Sequence, residues 1–312
     1  MMDQETNLSS KKMNWVDDEG IRKSFSANSK FYDIEANFYD EKSESFFGEG
    51  TNAYDRIKET LFWVTKKAGN NTLVDIGCGS GRILKLSEPY FKNLIGVDCS
   101  LAMLKKRQNH RYSALQSDVN YLCLKSNTAD VVTSFSVIHH LYSPSLLFSE
   151  IFRVLKPNGY FYSDNDPNKN ASGIHILQNQ SFLYKKLMGL YYLPFRFSTN
   201  RNKQITRQNK LKANLKQKQL SLSEYGKLAK DAEYHLNTGL DPWEIRNELI
   251  KIGFKNVQVF FHFENGKKLK KTITFYENIK ILIKILLKFN FANLNKKLYE
   301  LSPVFAIIAQ KK

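Results

Sequence analysis

The sequence predicts a doubly wound α/β fold, in which a mostly parallel sheet carries helices on both faces. Two features support this prediction. From residue 54 onward, short apolar runs alternate with amphipathic segments, and no run approaches the ~18 apolar residues of a membrane span. The first run, TLVDIG at 72–77, is almost continuously apolar and ends in a glycine, which is typical of a parallel strand buried on both faces.

The remaining elements follow in chain order. The first helix has apolar residues at helical spacing and ends at Gly69, and Asp241 can cap the last one. Helices are predicted at 54–68, after Gly81, at 100–109, at 143–155 with Ser143 as cap and Pro144 next, and at 241–253. Strands are predicted at 72–77, 93–98, 112–118, 129–137, 159–166, 256–264 and 304–311.

This alternation divides the chain into four segments. Residues 1–50 precede the core, with a loose leader predicted over 1–30 and a short helical lid over 31–47. The core segments are 51–167 and 241–312, separated by a basic and aromatic insertion at 168–240 after strand five and interrupted by a helical excursion at 265–303 after strand six.

The net charge of +17 lies in the second half of the chain. Residues 1–167 hold 20 basic and 21 acidic side chains, whereas residues 168–312 hold 27 and 9. Within the insertion, residues 168–223 have 11 basic side chains and no acidic one. Such asymmetry predicts an anionic partner, namely nucleic acid, a membrane surface or a phosphorylated substrate. A lysine-rich proteome would explain the number of lysines but not the missing acids.

Two segments favour a membrane surface among these partners. Residues 182–197 mix aromatic with basic side chains, a combination suited to a headgroup interface. Residues 279–289 are apolar apart from lysines spaced by four, so a helix here is either well buried or lies in an interface. The alternative is that both segments bury their apolar faces on the core and leave only lysines outside.

The sequence DIGCGSGR at 75–82 carries the strongest chemical signal. Its glycines form a G-x-G-x-G loop, which lets backbone N–H groups approach a ligand closely. A dinucleotide loop spaces its last glycine further, to bring a pyrophosphate to a helix N-terminus, so this loop suits a ligand without phosphates. Asp98 ends strand two and can accept hydrogen bonds from both hydroxyls of a ribose, and Asp118 ends strand three and can meet an adenine amine.

Five motifs in this order resemble the class I S-adenosylmethionine-dependent methyltransferases, especially the type 11/12-like subgroup with a VIHHL-type fourth motif. They are VDIGCGSG (74–81), GVDCS (96–100), SDV (117–119), DVVTSFSVIHHL (130–141) and EIFRVLKPNGYF (150–161). The resemblance covers residues 31–167 well and the later core segments loosely. It implies a Rossmann-like, seven-stranded sheet in which the last strand, 304–311, runs antiparallel between strands five and six.

The resemblance also implies S-adenosylmethionine as the cofactor. The glycine loop would line its methionine part, Asp98 its ribose, Asp118 with Val119 its adenine, and Ser136 its sulfonium side. The implied cofactor-binding residues are Asp75, Gly77, Cys78, Gly79, Gly81, Asp98, Cys99, Asp118, Val119 and Ser136. No metal site is predicted, because the three cysteines lack metal-ligand spacing.

Methyl transfer to a hydroxyl needs a base, whereas an N- or C-acceptor needs none. His139 or His140 is the natural candidate, because histidine titrates near neutral pH, although either ring could simply pack beneath the cofactor. Tyr39 and His235 are further candidates on the substrate side. Residues 136–139, SVIH, stand where amino methyltransferases acting on bases or glutamine carry an N/D-P-P-Y/F turn, so base-flipping chemistry is disfavoured.

These features favour an enzyme that methylates a small-molecule or a lipid- or glycan-linked acceptor at a membrane surface. The alternative is an RNA methyltransferase of the tRNA wobble-uridine type, with residues 201–219 tracking phosphates, although this block lacks the aromatics that read single-stranded bases. A non-catalytic binder that kept the fold is a third hypothesis. The N-terminus has no apolar signal region, so the expected location is cytoplasmic, peripheral on the inner membrane surface if the apolar segments bind lipid.

Overall fold

The computed structural model describes residues 18–106, 111–169, 209, 211–235, 238–262 and 304–312. The strands are β1 Thr72–Ile76, β2 Asn93–Asp98, β3 Ser113–Gln116, β4 Ala129–Phe135, β5 Leu155–Pro167, β6 Phe254–His262 and β7 Val304–Lys311. They form one sheet in the order β3-β2-β1-β4-β5-β7-β6. The predicted seven-stranded α/β fold is therefore confirmed.

The strand directions agree with the predicted topology. β1 pairs in parallel with β2 and β4, β2 with β3, and β4 with β5. β7 is antiparallel to both β5 and β6, between which it lies. The implied place of the last strand is thus confirmed, and the carboxyl ends of β1 to β5 meet at one edge of the sheet.

The helices with both ends described are α1 Asp18–Phe47, α2 Asn52–Ala68, α3 Arg82–Ser87, α4 Leu101–Lys105, α5 Ser145–Val154, α6 Leu222–Ala232 and α7 Pro242–Ile252, with a 3-10 turn at Ile138–His140. Four of them, α2, α4, α6 and α7, begin after a residue whose side chain accepts a hydrogen bond from the first turn. Asp241 accepts hydrogen bonds from the Trp243 and Glu244 N–H groups, which confirms it as the cap of α7. α5 begins one residue later than predicted, at Ser145, with Pro144 rather than Ser143 at its cap.

Alternation along the strands produces an apolar core on each face of the sheet. In β1, Leu73 packs on one side with Leu61 of α2, whereas Val74 packs on the other with Phe148 of α5. Successive side chains of a strand point to opposite faces, so a continuously apolar strand is buried on both. This is why the apolar runs of the sequence marked the strands so clearly.

The N-terminal helix differs from the sequence prediction. α1 begins at Asp18, so the loose leader predicted over 1–30 is wrong for residues 18–30, while the predicted lid over 31–47 is confirmed as helical. The buried face of its first turns includes the polar side chains of Ser24 and Asn28. Because these residues are polar, the face does not show as an apolar periodicity.

Part of the insertion packs on the outer face of α1. The rings of Phe31 and Tyr225 stack with centroids 5.6 Å apart, and the Tyr225 hydroxyl donates to Glu35 at 2.5 Å. Asn214 donates to the backbone carbonyl of Ile34 at 3.2 Å. The described part of the insertion therefore covers α1 from outside and fixes its position over the sheet.

The predicted membrane-binding segments, 182–197 and 279–289, and most of the acid-free block lie outside the described residues. Among the helices of the described ranges, none is long and apolar enough to cross a membrane. Contact with a membrane surface therefore stays a prediction of the sequence.

The packing of α2 gives a direct test of the two-faced core. Leu61 is fully buried, whereas its neighbour Phe62 is 51% exposed. We expect Leu61→Ala to lower the free energy of unfolding by about 2–5 kcal/mol, because the lost side chain leaves a cavity. The matched control Phe62→Ala should cost about 1 kcal/mol or less. Urea denaturation measures both, and equal losses would contradict the assigned orientation of α2.

Candidate active site

A cleft lies at the carboxyl ends of β1 to β4, where open parallel sheets bind ligands. The loops after these strands form its floor, and α1 forms its roof. Its empty volume, including the part open to solvent, is about 720 Å³. A ligand in the cleft would therefore contact both the loops of the floor and the side chains of α1.

The glycine loop at residues 77–81 contributes backbone without side chains to this floor. Gly77 and Gly79 have φ angles of 65° and 54°, in the left-handed region that favours glycine. A Cβ atom at residue 77 would lie 2.3 Å from Cγ2 of Val137, and one at residue 79 would lie 3.0 Å from Cε of Met103. A Cβ atom at residue 77 would therefore collide with Val137, whereas at residue 79 the constraint is mainly the left-handed backbone, so both positions favour glycine.

Asp98 ties the glycine loop to the end of β2. Its Oδ2 accepts a hydrogen bond from Gly79 N at 2.8 Å, and its Oδ1 accepts one from Ser100 N at 2.8 Å. Burial raises the pKa of Asp98, and these backbone N–H groups act in the opposite direction. Each carboxylate oxygen can accept more than one hydrogen bond, so Asp98 can hold the loop and still bind a diol in the cleft.

Asp118 and Asn120 form a second polar corner, after β3. Asp118 Oδ1 accepts from the backbone N and from Nδ2 of Asn120, both at 2.9 Å. Within the described part of the chain, the buried Oδ1 of Asn120 has no hydrogen-bond partner. A buried acceptor of this kind is costly unless a ligand donor meets it, so the corner suits an amine. The sequence analysis did not identify Asn120, which follows the SDV motif directly.

The cleft brings together seven of the ten predicted cofactor residues. Those that line it are Gly77, Gly79, Asp98, Cys99, Asp118, Val119 and Ser136. The other three lie behind the lining. Cys78 packs into the core with Leu84, Gly81 caps α3, and Asp75 is buried with its carboxylate accepting from Thr133 Oγ1 at 2.7 Å.

Ser136 stands at a strained corner of the cleft. Its φ is 57° and that of Asn165, on the neighbouring strand end, is 64°, which is uncommon for residues other than glycine. The Asn165 amide donates to Ser136 Oγ, and Ser136 N donates to the carbonyl of Asp164 at 2.9 Å. Asp164 is itself fully buried and paired with Arg56 at 3.1 Å. Such strain persists where the surroundings hold it, and it clusters at functional sites.

The structure separates the two candidate histidines. His140 lines the cleft, and its Nε2 lies 3.0 Å from the hydroxyl of Tyr32. His139 does not line the cleft; its Nδ1 lies 2.8 Å from Oδ1 of the buried Asp166, and its carbonyl accepts from His235 N at 2.8 Å. Burial raises the pKa of Asp166 to about 8. His140 therefore faces the cleft, whereas His139 is bonded to the end of β5 and to the insertion.

Three acidic side chains of α1 bond to the segments that follow β1 and β2. Asp33 accepts from Ser100 Oγ at 2.6 Å, and Asp40 accepts from Ser80 Oγ at 2.7 Å. Glu44 pairs with Arg82 at 2.9 Å. These contacts join the roof to the loops that carry the glycines and Asp98.

The two predicted substrate residues have different places. Tyr39 lines the cleft beside Gly79, and burial together with the charge of Asp98 raises the pKa of its hydroxyl to about 12. His235 is half-buried outside the lining, where burial lowers its pKa, and its ring contacts Tyr234. Over the described ranges, no group of His, Cys, Asp and Glu side chains has the arrangement of a metal site.

Comparison with known proteins agrees with this geometry. A family model described as a methyltransferase domain matches residues 74–163, which carry the glycine loop, Asp98 and both histidines. A Saccharomyces cerevisiae protein named probable S-adenosylmethionine-dependent methyltransferase CRG1 is 33% identical over 106 residues, which cover 30% of this chain and 35% of the relative. The malonyl-(acyl-carrier protein) O-methyltransferase of Marinomonas sp. (strain MWYL1) is 29% identical over 144 residues, 41% of this chain and 53% of the relative. The chain thus spans about half or less of these relatives.

A solved structure shows the same fold over most of the chain. One chain of the complex that contains the Haloferax volcanii Trm112 methyltransferase activator aligns with a TM-score of 0.50 and 14% identity, covering 90% of this chain and 97% of that chain. The family match and the named relatives confirm the predicted resemblance to class I S-adenosylmethionine-dependent methyltransferases.

The buried carboxyl of Asp75 gives a pH test of this architecture. Burial raises its pKa to about 7, against the Thr133 hydrogen bond, which lowers it. Between the ordinary aspartate pKa and about 7, Asp75 is ionised in the unfolded chain but protonated in the folded protein. The contribution of Asp75 to stability therefore falls as the pH rises through this window. We expect the free energy of unfolding of the wild type to fall by about 2–3 kcal/mol relative to that of Asp75→Asn between about pH 5 and pH 7.5.

Urea denaturation at each pH measures this difference. Glu59→Gln, which removes an exposed carboxylate on α2, is the matched control and should run parallel to the wild type. An Asp75→Asn curve that also runs parallel would show that Asp75 ionises normally in the folded protein.

Proposed function

We propose that this chain, whose residues 74–163 carry a class I methyltransferase domain, is an S-adenosylmethionine-dependent methyltransferase acting on a small molecule that enters the cleft beneath α1. The observation that carries the proposal is the hydrogen bond from Gly79 N to the carboxylate of Asp98. It places a glycine loop next to a carboxylate that can accept hydrogen bonds from a diol. A nucleoside with an amino acid tail requires this pairing.

The residues present in the cleft fit this cofactor. Asp98 would accept from the ribose hydroxyls, and Asp118 with the unpaired Oδ1 of Asn120 would meet the adenine amine. The backbone of Gly77 and Gly79 would lie along the methionine part. When bound, S-adenosylmethionine supplies a methyl group already activated on a sulfonium, so the protein has mainly to position the acceptor.

The space next to His140 supports a small acceptor. Ile21 and Phe25 of α1 line it from above, and Leu141 and Tyr142 line it from the turn after β4. Ser24 and Asn28 of α1 donate hydrogen bonds to the carbonyl of His140 in this turn. The cleft is therefore covered by α1 and suits a small enclosed molecule rather than a nucleic-acid duplex. The Marinomonas relative is, by its name, an O-methyltransferase, which favours an oxygen acceptor here.

His140 is the stronger of the two candidate bases. It lines the cleft, whereas His139 has its Nδ1 on Asp166 and its carbonyl on the insertion. We therefore assign to His140 the proton-accepting role that the sequence left open between the two residues, and to His139 the role of positioning the turn.

The RNA and membrane hypotheses depend on the basic insertion and on residues 279–289, most of which lie outside the described ranges. Both stay predictions, as does the lipid- or glycan-linked form of the acceptor. A salt-sensitive gel shift with tRNA tests the first, and flotation with anionic liposomes tests the second.

Cofactor binding is the first test of the proposed function. We expect the wild type to bind S-adenosylhomocysteine in calorimetry, and Asp98→Ala to weaken that binding about 10- to 150-fold, the scale of hydrogen bonds to a charged group. Glu59→Ala, which removes an exposed carboxylate from α2, is the control and should bind as the wild type does.

Two results would count against the proposal. One is a folded wild-type protein that binds neither S-adenosylmethionine nor S-adenosylhomocysteine. The other is an Asp98→Ala variant with wild-type affinity and a wild-type circular dichroism spectrum, because the ribose contact would then lie elsewhere.

A further inference from the structure

We propose that Tyr32 is a catalytic residue of this site, whose hydroxyl passes the proton of a hydroxyl acceptor to Nε2 of His140. The proposal rests on the proposed methyltransferase function and names its acceptor class, a hydroxyl group whose oxygen receives the methyl. Both side chains line the cleft, and Tyr32 Oη lies 3.0 Å from His140 Nε2. Neither the motifs nor the spacing of the sequence pointed to Tyr32, which is 108 residues from its partner.

One face of α1 is built around His140. Ser24 Oγ and Asn28 Nδ2 donate to the backbone carbonyl of His140 at 3.0 and 3.1 Å. Tyr32 follows at the same spacing of four residues, so all three side chains lie on one face of the helix. The first two bonds fix the backbone of His140, and the third side chain meets its ring.

The surroundings keep Tyr32 a neutral phenol. Burial raises the pKa of its hydroxyl well above the ordinary value, and Tyr39 and Glu233 act in the same direction. A neutral phenol donates one hydrogen bond and accepts others at the same time. Tyr32 can therefore donate to His140 Nε2 while it accepts from an acceptor hydroxyl in the cleft, and these are the two contacts of a proton relay.

His140 is placed to receive the proton. The titratable groups around it are Tyr32 and Tyr39 of α1, Tyr142 in the cleft wall, and His139, whose ring centroid lies 4.0 Å from that of His140. Asp166 lies behind His139 at 2.8 Å. The Nε2 atom of a neutral imidazole can accept a proton, so His140 can act as the base that takes up the Tyr32 proton.

The proposed step balances in atoms and charge. The acceptor oxygen forms a bond to the methyl carbon as the carbon–sulfur bond breaks, and the electron pair of that bond stays on sulfur. The acceptor proton moves to Tyr32 Oη while the Tyr32 proton moves to His140 Nε2. The products are a methyl ether, S-adenosylhomocysteine and a protonated His140.

The test compares Tyr32→Phe and His140→Asn with Tyr225→Phe. The control also removes a tyrosine hydroxyl that bonds to α1, through Glu35, but on the outer face of the helix, away from the cleft. The assay follows transfer of a tritiated methyl group from S-adenosylmethionine to a panel of substituted phenols and to the anilines of matching substitution. An aniline nitrogen has its lone pair available at neutral pH and needs no relay.

We expect the wild type to methylate phenols faster than the matching anilines, and the two variants to lose only the activity toward phenols. Tyr32→Phe and His140→Asn should each lower kcat by about 10²–10⁴, the usual effect of losing a general base. Their affinity for S-adenosylhomocysteine should stay within about threefold, which is under 1 kcal/mol. In the wild type kcat/KM should rise with pH as His140 loses its proton, and His140→Asn should lack this rise.

A second measurement needs no turnover. With labelled histidine, the His140 ring nitrogen signal in the complex with S-adenosylhomocysteine should move in Tyr32→Phe and stay in place in Tyr225→Phe. An unmoved signal in Tyr32→Phe would overturn the relay, and so would anilines that are methylated as fast as phenols. The relay would also be overturned if the wild type bound S-adenosylhomocysteine but methylated no phenol, or if Tyr32→Phe lost its affinity for S-adenosylhomocysteine. Failure of the wild type to bind S-adenosylhomocysteine would overturn the proposed function instead.

Discussion

Two hydrogen bonds accepted by Asp98 hold the edge of the sheet on which the whole site is built. They join the backbone of the glycine loop after β1 to the turn after β2. Hydrogen bonds from N–H groups to a buried carboxylate are among the strong ones in proteins, since the acceptor is charged and water is excluded. The same turn begins α4, and Ser100 there caps that helix and also donates to Asp33 of α1. The roof is thus attached at the point that Asp98 organises.

α1 connects the two halves of the site because its two sides have different partners. One side carries Asp33, Asp40 and Glu44, which bond to the segments that follow β1 and β2. The other side bonds to the turn at His140, which stands after β4. Since a helix is stiff over this length, a movement that breaks contacts on one side also disturbs the other. Packing of α6 on the outer face makes the insertion part of the same assembly.

The sequence predicted best what depends on local pattern. All seven strands could be found, because a strand buried on both faces is a continuous apolar run, and Asp98 could be found because it ends such a run. The start of α1 could not, since Ser24 and Asn28 are buried through hydrogen bonds rather than apolar contacts. The glycine-loop motif correctly located the cleft, but which residues face it depends on the turn geometry, and this left Cys78 behind the lining.

Residues that meet only in the folded protein were beyond the sequence pattern. The pairing of Tyr32 with His140 depends on how α1 crosses the sheet, and the spacing of residues in the sequence does not predict that crossing. The choice between His139 and His140 likewise depends on Asp166, which contacts one ring from the end of β5.

The contacts between α1 and His140 have a consequence for how the protein folds. They close loops of 108 to 116 residues. Closing such loops costs entropy before any contact compensates for it, so pairings of this kind form slowly. During synthesis α1 leaves the ribosome well before β4, and the partner of its polar face does not yet exist. We therefore expect the helix that completes the site, although synthesised before the sheet, to dock only once the sheet beneath it has assembled.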